Sequence, residues 1–176
     1  RDEELDWFLN GIATVFPESW REFNHFLPEE ERGKVLASFH KRLLDKDPSV
    51  HIPAACAWAR YEGACSTLLP NPRSVSGLKS EPAALALARI EVHYFINHMF
   101  LPDNYFFSHL GKIKRIPATI IQGRYDMVCP IKTADELSCA WPEAQYQVIP
   151  DAGHSAMEPP IRSALIAAME HFKTGY

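Results

Sequence analysis

Apolar residues recur at helical spacing through the first two-thirds of the chain, then give way to short, nearly all-apolar runs. Leu5, Phe8, Leu9 and Ile12 fall on one helical face, and Pro17 stops that segment. Pro28 followed by Glu29, Glu30 and Glu31 places proline and acids in a first turn, where the helix dipole favours them. Val35, Leu36, Phe39, Leu43 and Leu44 then make an apolar stripe. Pro53 opens a third predicted helix through Trp58 and Tyr61, and Glu81-Pro82 a fourth, Ala-rich one through Leu85, Leu87, Ile90 and Tyr94. Between them, Pro70 to Gly77 is rich in turn formers and reads as a loop.

The texture changes after about residue 110. Ile116 to Gln122 is β-branched and nearly all apolar, which predicts a strand buried on both faces of a parallel sheet. Thr133 to Ala140 reads as a helix, with Thr133 as N-cap and Glu136 three residues on. Tyr146 to Ile149 is a second strand. A last helix runs from Ile161 to Phe172, with Ile161, Leu165, Ile166, Met169 and Phe172 facing one way. Strand-helix-strand-helix with short connections implies an α/β layer with parallel crossovers. Two strands make a poor open sheet by themselves, so further strands are expected beside them.

Composition narrows the class. The chain has 176 residues, of which 47% are hydrophobic and 23% charged, as in a soluble globular protein. The net charge of -4, with no basic face, argues against nucleic acid or an anionic membrane as partner. Lys112-Ile113-Lys114-Arg115 reads as solvated charge ahead of a strand. No apolar stretch reaches the ~20 residues of a membrane span, and no signal peptide opens the chain. Cys56, Cys65, Cys129 and Cys139 are too few and too irregularly spaced for a disulfide scaffold or a zinc site. Free thiols in a cytoplasmic setting are expected, with no metal and no cofactor. The chain starts at Arg1, which reads as a segment of a longer protein or as a processed terminus.

The chemistry lies at the ends of the two strands. Gly123-Arg124-Tyr125-Asp126 follows the first, and Asp151-Ala152-Gly153-His154-Ser155 the second. In an open α/β sheet, functional groups gather at the carboxyl ends of strands. An acid followed by a histidine, each ending a strand, is the second half of an α/β-hydrolase triad. Asp126 suits the acceptor that fixes a tautomer, and His154 the base that takes a serine proton. No Gly-x-Ser-x-Gly elbow occurs: Ser66, Ser74, Ser76 and Ser155 lack the flanking glycines. No His-Gly-Gly segment offers oxyanion donors.

Longer motifs carry a resemblance. Trp58 to Leu68 (WARYEGACSTL), Ala88 to Phe95 (ARIEVHYF), Gly123 to Pro130 (GRYDMVCP), Ala140 to Ala144 (AWPEA) and Pro150 to Ala156 (PDAGHSA) resemble the proline iminopeptidases. These are serine peptidases of the α/β-hydrolase fold with a helical cap. The resemblance covers nearly the whole chain and implies that residues 1–110 form the cap. Residues 111–176 would be the C-terminal part of the hydrolase core. It makes Asp126 the triad acid and His154 the base, with Glu62 and Glu91 holding the substrate's free amino terminus. Tyr94 and Phe95 would line an apolar wall for a pyrrolidine ring, and Cys129 would be a thiol near the site. Tyr61 stands where the family often has Trp. The nucleophile and oxyanion hole would come from a missing N-terminal hydrolase segment, on the same or a separate chain. The implied activity is release of N-terminal proline from peptides. Two alternatives stay open: a non-catalytic fragment or interaction module, and a hydrolase of this fold acting on another ester or amide.

Overall fold

The computed structural model describes residues 1–70 and 81–173. The loop expected over 70–77 lies, beyond Pro70, outside the described residues. The chain divides into two compact units. One takes Arg1–Cys65 and Pro70–Asp103, the other Ser66–Leu69 and Asn104–Tyr176.

Every secondary-structure element among the described residues of the first unit is a helix. Helix α1 (Asp2–Asp6) runs on through a π turn (Trp7–Gly11) and a 3-10 turn (Ile12–Thr14). Helix α2 is Pro17–His25, α3 Val35–Leu43, α4 Pro48–Cys65 and α5 Glu81–Ile96. Aromatic rings from four of these segments meet in one core. Phe23 stacks on Phe39 at 4.4 Å and on Tyr61 at 4.5 Å, and Trp58 meets Phe8, Phe23 and Phe39 at 5.5–5.6 Å. Each ring buries a large apolar area, and the stacked and edge-on geometries add to it. The polar ends of the rings are satisfied. Tyr61 donates its hydroxyl to the Phe8 carbonyl at 3.1 Å, and the Trp58 indole N–H donates to Glu91 at 2.6 Å. Helix α5 presents Ala84, Ala88 and Val92 inward, a narrow stripe that allows close packing. Arg89 donates to the Leu43 carbonyl at the end of α3, at 2.7 Å, where a cation suits the dipole.

The second unit carries a short helix α6 (Tyr105–His109), strand β1 (Thr119–Gly123), α7 (Ile131–Ala140), β2 (Gln145–Ile149) and α8 (Pro159–Lys173). The strands pair in parallel, Thr119 opposite Gln145 and Gly123 opposite Ile149. Both therefore end at the same edge of the layer. Helix α8 packs Ile161 and Ala164 onto Ile121, Ile149 and Ala152.

Several expectations need correction. Pro17 starts a helix that the pattern did not show: at N1 its missing N–H costs nothing. Glu29–Lys34 forms a 3-10 turn, and the α-helix begins only at Val35. The third helix opens at Pro48, not Pro53, because Asp47 caps it by accepting the Ser49 N–H at 2.9 Å. Pro53 sits inside the helix, where it removes one backbone bond. Strand β1 starts at Thr119, after Pro117, and its residues up to Gln122 are only half-buried, because just one strand lies beside it among the described residues. Thr133 is not the N-cap: Pro130 takes that place, with no side-chain bond. On α8 the inward face is rotated from the expected stripe. Leu165, Ile166 and Met169 are exposed, because small Ala164 lets the helix approach the sheet closely.

Phe23 sits at the centre of the aromatic core, so Phe23→Ala is expected to destabilise the helical unit by about 3–5 kcal/mol. Urea unfolding followed by Trp fluorescence measures this.

Candidate active site

Two turns at the carboxyl ends of β1 and β2 are bound directly to each other. The Arg124 N–H donates to the Ile149 carbonyl at 2.8 Å, and the Tyr125 N–H to that of Ala152 at 3.0 Å. This approach requires glycine at the end of β1. A Cβ on Gly123 would lie 1.9 Å from the Gly153 carbonyl oxygen, an impossible backbone clash. The closeness of the two turns brings the acid and the imidazole together.

Asp126 is buried, and its carboxylate is surrounded by donors. Oδ1 accepts the N–H groups of Val128 at 3.0 Å and Cys129 at 2.7 Å, so the side chain folds its own turn. Oδ2 accepts the Gln122 amide at 3.0 Å. The Nδ1–H of His154 donates to the same carboxylate, 3.0 Å from Oδ2 and 3.2 Å from Oδ1. An ionised carboxylate only accepts, so this contact places the proton on Nδ1 and leaves Nε2 as the other ring nitrogen.

The histidine loop is anchored from behind. The His154 and Ser155 N–H groups both donate to the Ser66 carbonyl, at 3.0 and 2.8 Å. Glu158, just before α8, accepts the Gly153 N–H at 2.8 Å and the Leu68 N–H at 3.2 Å. Gln122 and Glu158 are thus positioning residues that the sequence reading missed. An acid directly before Pro159-Pro160 at a helix start was the available signal for Glu158; Gln122 gave none.

The imidazole is raised from its ordinary value to about 10. The hydrogen bond it donates to Asp126 is the main cause, and the neighbouring Cys129 side chain adds to it. Partial burial pulls the other way. Cys129 itself is exposed, whereas burial pushes the Cys65 thiol up to about 12.

The other residues singled out from the sequence lie in the helical unit. Glu91 on α5 accepts the Trp58 indole N–H, and Glu62 on α4 is half-buried, with one carboxylate oxygen shut off from solvent. Phe95 packs into the aromatic core, 5.3 Å from Phe8 and 6.0 Å from Trp58. Tyr94 is half-exposed, its ring 5.5 Å from Phe100. Among the described residues no group of three or more His, Cys, Asp or Glu side chains is placed to hold a metal ion. None of the described helices is long and apolar enough to cross a membrane.

A pH dependence follows from the raised imidazole. Its favourable contribution is fully present below pH 6.5 and is lost as pH rises through about 10. The stability difference between the chain and its His154→Ala variant is therefore expected to shrink over that window, read from urea midpoints. A constant difference would contradict it.

No protein-family model matches the chain. Curated relatives do. A proline iminopeptidase of Arabidopsis thaliana is 43% identical over 98% of this chain and 46% of its own length. A probable proline iminopeptidase of Leptolyngbya boryana is 41% identical over 98% of the chain and 54% of its own length. For a proline iminopeptidase of Neisseria gonorrhoeae the identity is 37%, covering 97% and 54%. The chain spans about half the length of the relatives it matches. Over nearly all of its residues, then, this chain is a homologue of part of the proline iminopeptidases.

Proposed function

We propose that this chain is the cap (residues 1–110) and C-terminal core (residues 111–176) of an α/β-hydrolase that releases N-terminal proline from peptides. The observation that carries the reading is the hydrogen bond between His154 Nδ1 and the buried Asp126 carboxylate at the ends of adjacent parallel strands. An acid that fixes the tautomer leaves Nε2 to accept a proton from a nucleophile. The nucleophilic serine and the oxyanion donors come from a further segment, on the same or a separate chain.

In the assembled enzyme, Nε2 takes the serine proton as Oγ attacks the prolyl carbonyl carbon. It returns that proton to the leaving amine as the C–N bond breaks. Water then repeats the sequence on the acyl-enzyme, releasing proline and restoring the serine. Asp126 stabilises the imidazolium formed at each step. The hydrogen bond to Asp126 strengthens the ring's hold on a proton, and the ring serves as a base while Nε2 is free. About a third of its side chain is exposed. Desolvation acts downward on it, so enclosure by the nucleophile-bearing segment would favour the neutral ring.

Glu62 and Glu91, partly withdrawn from water, fit the recognition of a protonated chain terminus. A blocked amine would leave their charges uncompensated, which explains selection for a free end. Tyr94 and Phe95 supply aromatic surface for the ring. The pyrrolidine wall rests chiefly on Tyr94, since Phe95 already serves the core. Cys129 is a bystander thiol beside His154. The four free cysteines support a cytoplasmic setting.

Joining the chain to the remaining portion of the Arabidopsis thaliana relative tests this reading. The fusion is expected to hydrolyse prolyl arylamides ahead of alanyl and leucyl ones. His154→Ala is expected to lower kcat/KM about a thousandfold. Unimpaired turnover in that variant would refute the assignment, and equal use of all three arylamides would favour a broader hydrolase. In the same fusion, Glu62→Gln and Glu91→Gln are each expected to raise KM about tenfold with a smaller change in kcat. An unchanged KM removes the amine clamp.

A further inference from the structure

The second unit leaves strand edges and one helix flank without cover among its described residues. Across the strand pair, the Gln145 N–H donates to the Ala118 carbonyl at 2.9 Å and the Arg124 N–H to that of Ile149 at 2.8 Å. Alternate residues of a strand turn their N–H and C=O groups to opposite sides. Ile120 and Gln122 therefore address β2, while Thr119 and Ile121 turn their backbone groups away from it. On β2 the same alternation turns Tyr146 and Val148 outward.

Side chains distinguish the two edges. In β2 the exposed Gln145 and Gln147 alternate with half-buried Tyr146 and Val148. Solvated polar side chains along one face suit the last strand of a sheet. In β1, Ile120 and Ile121 stand on opposite faces, both only half-buried, and Ile116 just ahead of them is exposed. Apolar side chains on both faces belong to a strand with neighbours on either side. Helix α8 packs over β1, with Ile161 and Ala164 against Ile121. At 3.6 residues per turn, Leu165, Met169 and Ile166 fall in a sector about 100° wide that borders this inward face. All three are exposed, Ile166 by 56% and Met169 by 63%.

We propose that the nucleophile-bearing segment adds a strand along the Thr119–Ile121 edge, parallel to β1, and lays an apolar helix face on Leu165, Ile166 and Met169. Strand β2 then remains the end of the sheet. The inference rests on the reading that such a segment completes the enzyme, and it assigns the edge and the helix flank that receive it. The curated relatives extend for about as long again as the part this chain matches, which is ample for both elements. A parallel strand on this side also ends at the rim that holds Asp126 and His154, where a nucleophile has to arrive. Added beside β2, it would stand one strand spacing, about 4.8 Å, further from Asp126.

The test mixes the complete 176-residue chain with the remaining portion of the Arabidopsis thaliana relative and follows amide hydrogen exchange by NMR. On assembly the Thr119 and Ile121 amides are expected to slow about a hundredfold, while those of Tyr146 and Val148 keep their rates. Ile166→Glu and Met169→Glu, at positions exposed in the free chain, are each expected to weaken association about tenfold with an unchanged circular dichroism spectrum, because each buries a charge against an apolar face. Gln147→Glu, on β2, is expected to leave association unchanged. Where the separate portion does not fold, the same exchange pattern is read in the fusion against the free chain. The proposal is overturned by protection of Tyr146 and Val148 in place of Thr119 and Ile121. Exchange at Thr119 and Ile121 that neither mixing nor fusion slows also overturns it, as does undiminished association of both glutamate variants. The expected protection without hydrolysis of prolyl arylamides would refute the peptidase reading and leave the docking surface standing.

Discussion

A carboxylate removed from water must be met by donors, and the geometry of the second unit is organised by that requirement at Asp126. Its two oxygens receive the Val128 and Cys129 N–H groups, the Gln122 amide and the His154 imidazole. Two of these donors are local backbone, so the acid shapes its own turn before it meets the histidine. The third comes from β1, and the fourth from a loop that reaches it only through pairing of the strands. Loss of any one donor leaves a buried anion short of a partner, which is more costly than the average hydrogen bond is worth. The histidine ring is correspondingly well fixed in its orientation.

Backbone economy supports the same contact. Gly123 passes so close to Gly153 that no side chain fits at the first position, and Gly153 itself lies against the Leu68 backbone. Glu158 ties that glycine and Leu68 together, while Ser66 receives the N–H groups of His154 and Ser155. The short segment Ser66–Leu69, which directly follows α4, is therefore part of the scaffold of the histidine loop. It meets the histidine loop and Glu158 through its main-chain Ser66 carbonyl and Leu68 N–H, which no side-chain pattern announces.

Much was legible in the linear pattern. The strand ends that carry Asp126 and His154 were readable because a β-branched apolar run followed by a Gly-containing turn leaves few other conformations. The terminal helix was readable from its period. What went astray has local causes. Proline signals a helix boundary without saying on which side the helix lies, so Pro17, read as the stop of a segment that ends at Thr14, also starts the next helix, and Pro53, read as a start, is interior. Thr133 had the right chemistry and spacing for a cap, but Pro130, with its fixed φ, began the helix first. The apolar stripe of α8 was real, yet the buried face is the one where small Ala164 allows close approach.

The order of residues by itself determined the placement of the candidate pair: an acid and a histidine, each ending an apolar strand, with no serine elbow among the 176 residues. Spacing along a chain determines such placement because strand direction and turn residues are local properties. Tertiary structure alone decided that the two side chains are 3.0 Å apart, that Asp126 is withdrawn from water and that its carboxylate raises the His154 imidazole. It also decided that Gln122, Glu158 and Ser66 support them, and that Phe95 belongs to an aromatic core. Burial and hydrogen-bond partnership depend on residues distant in sequence, whose mutual approach exists only once the layers have packed.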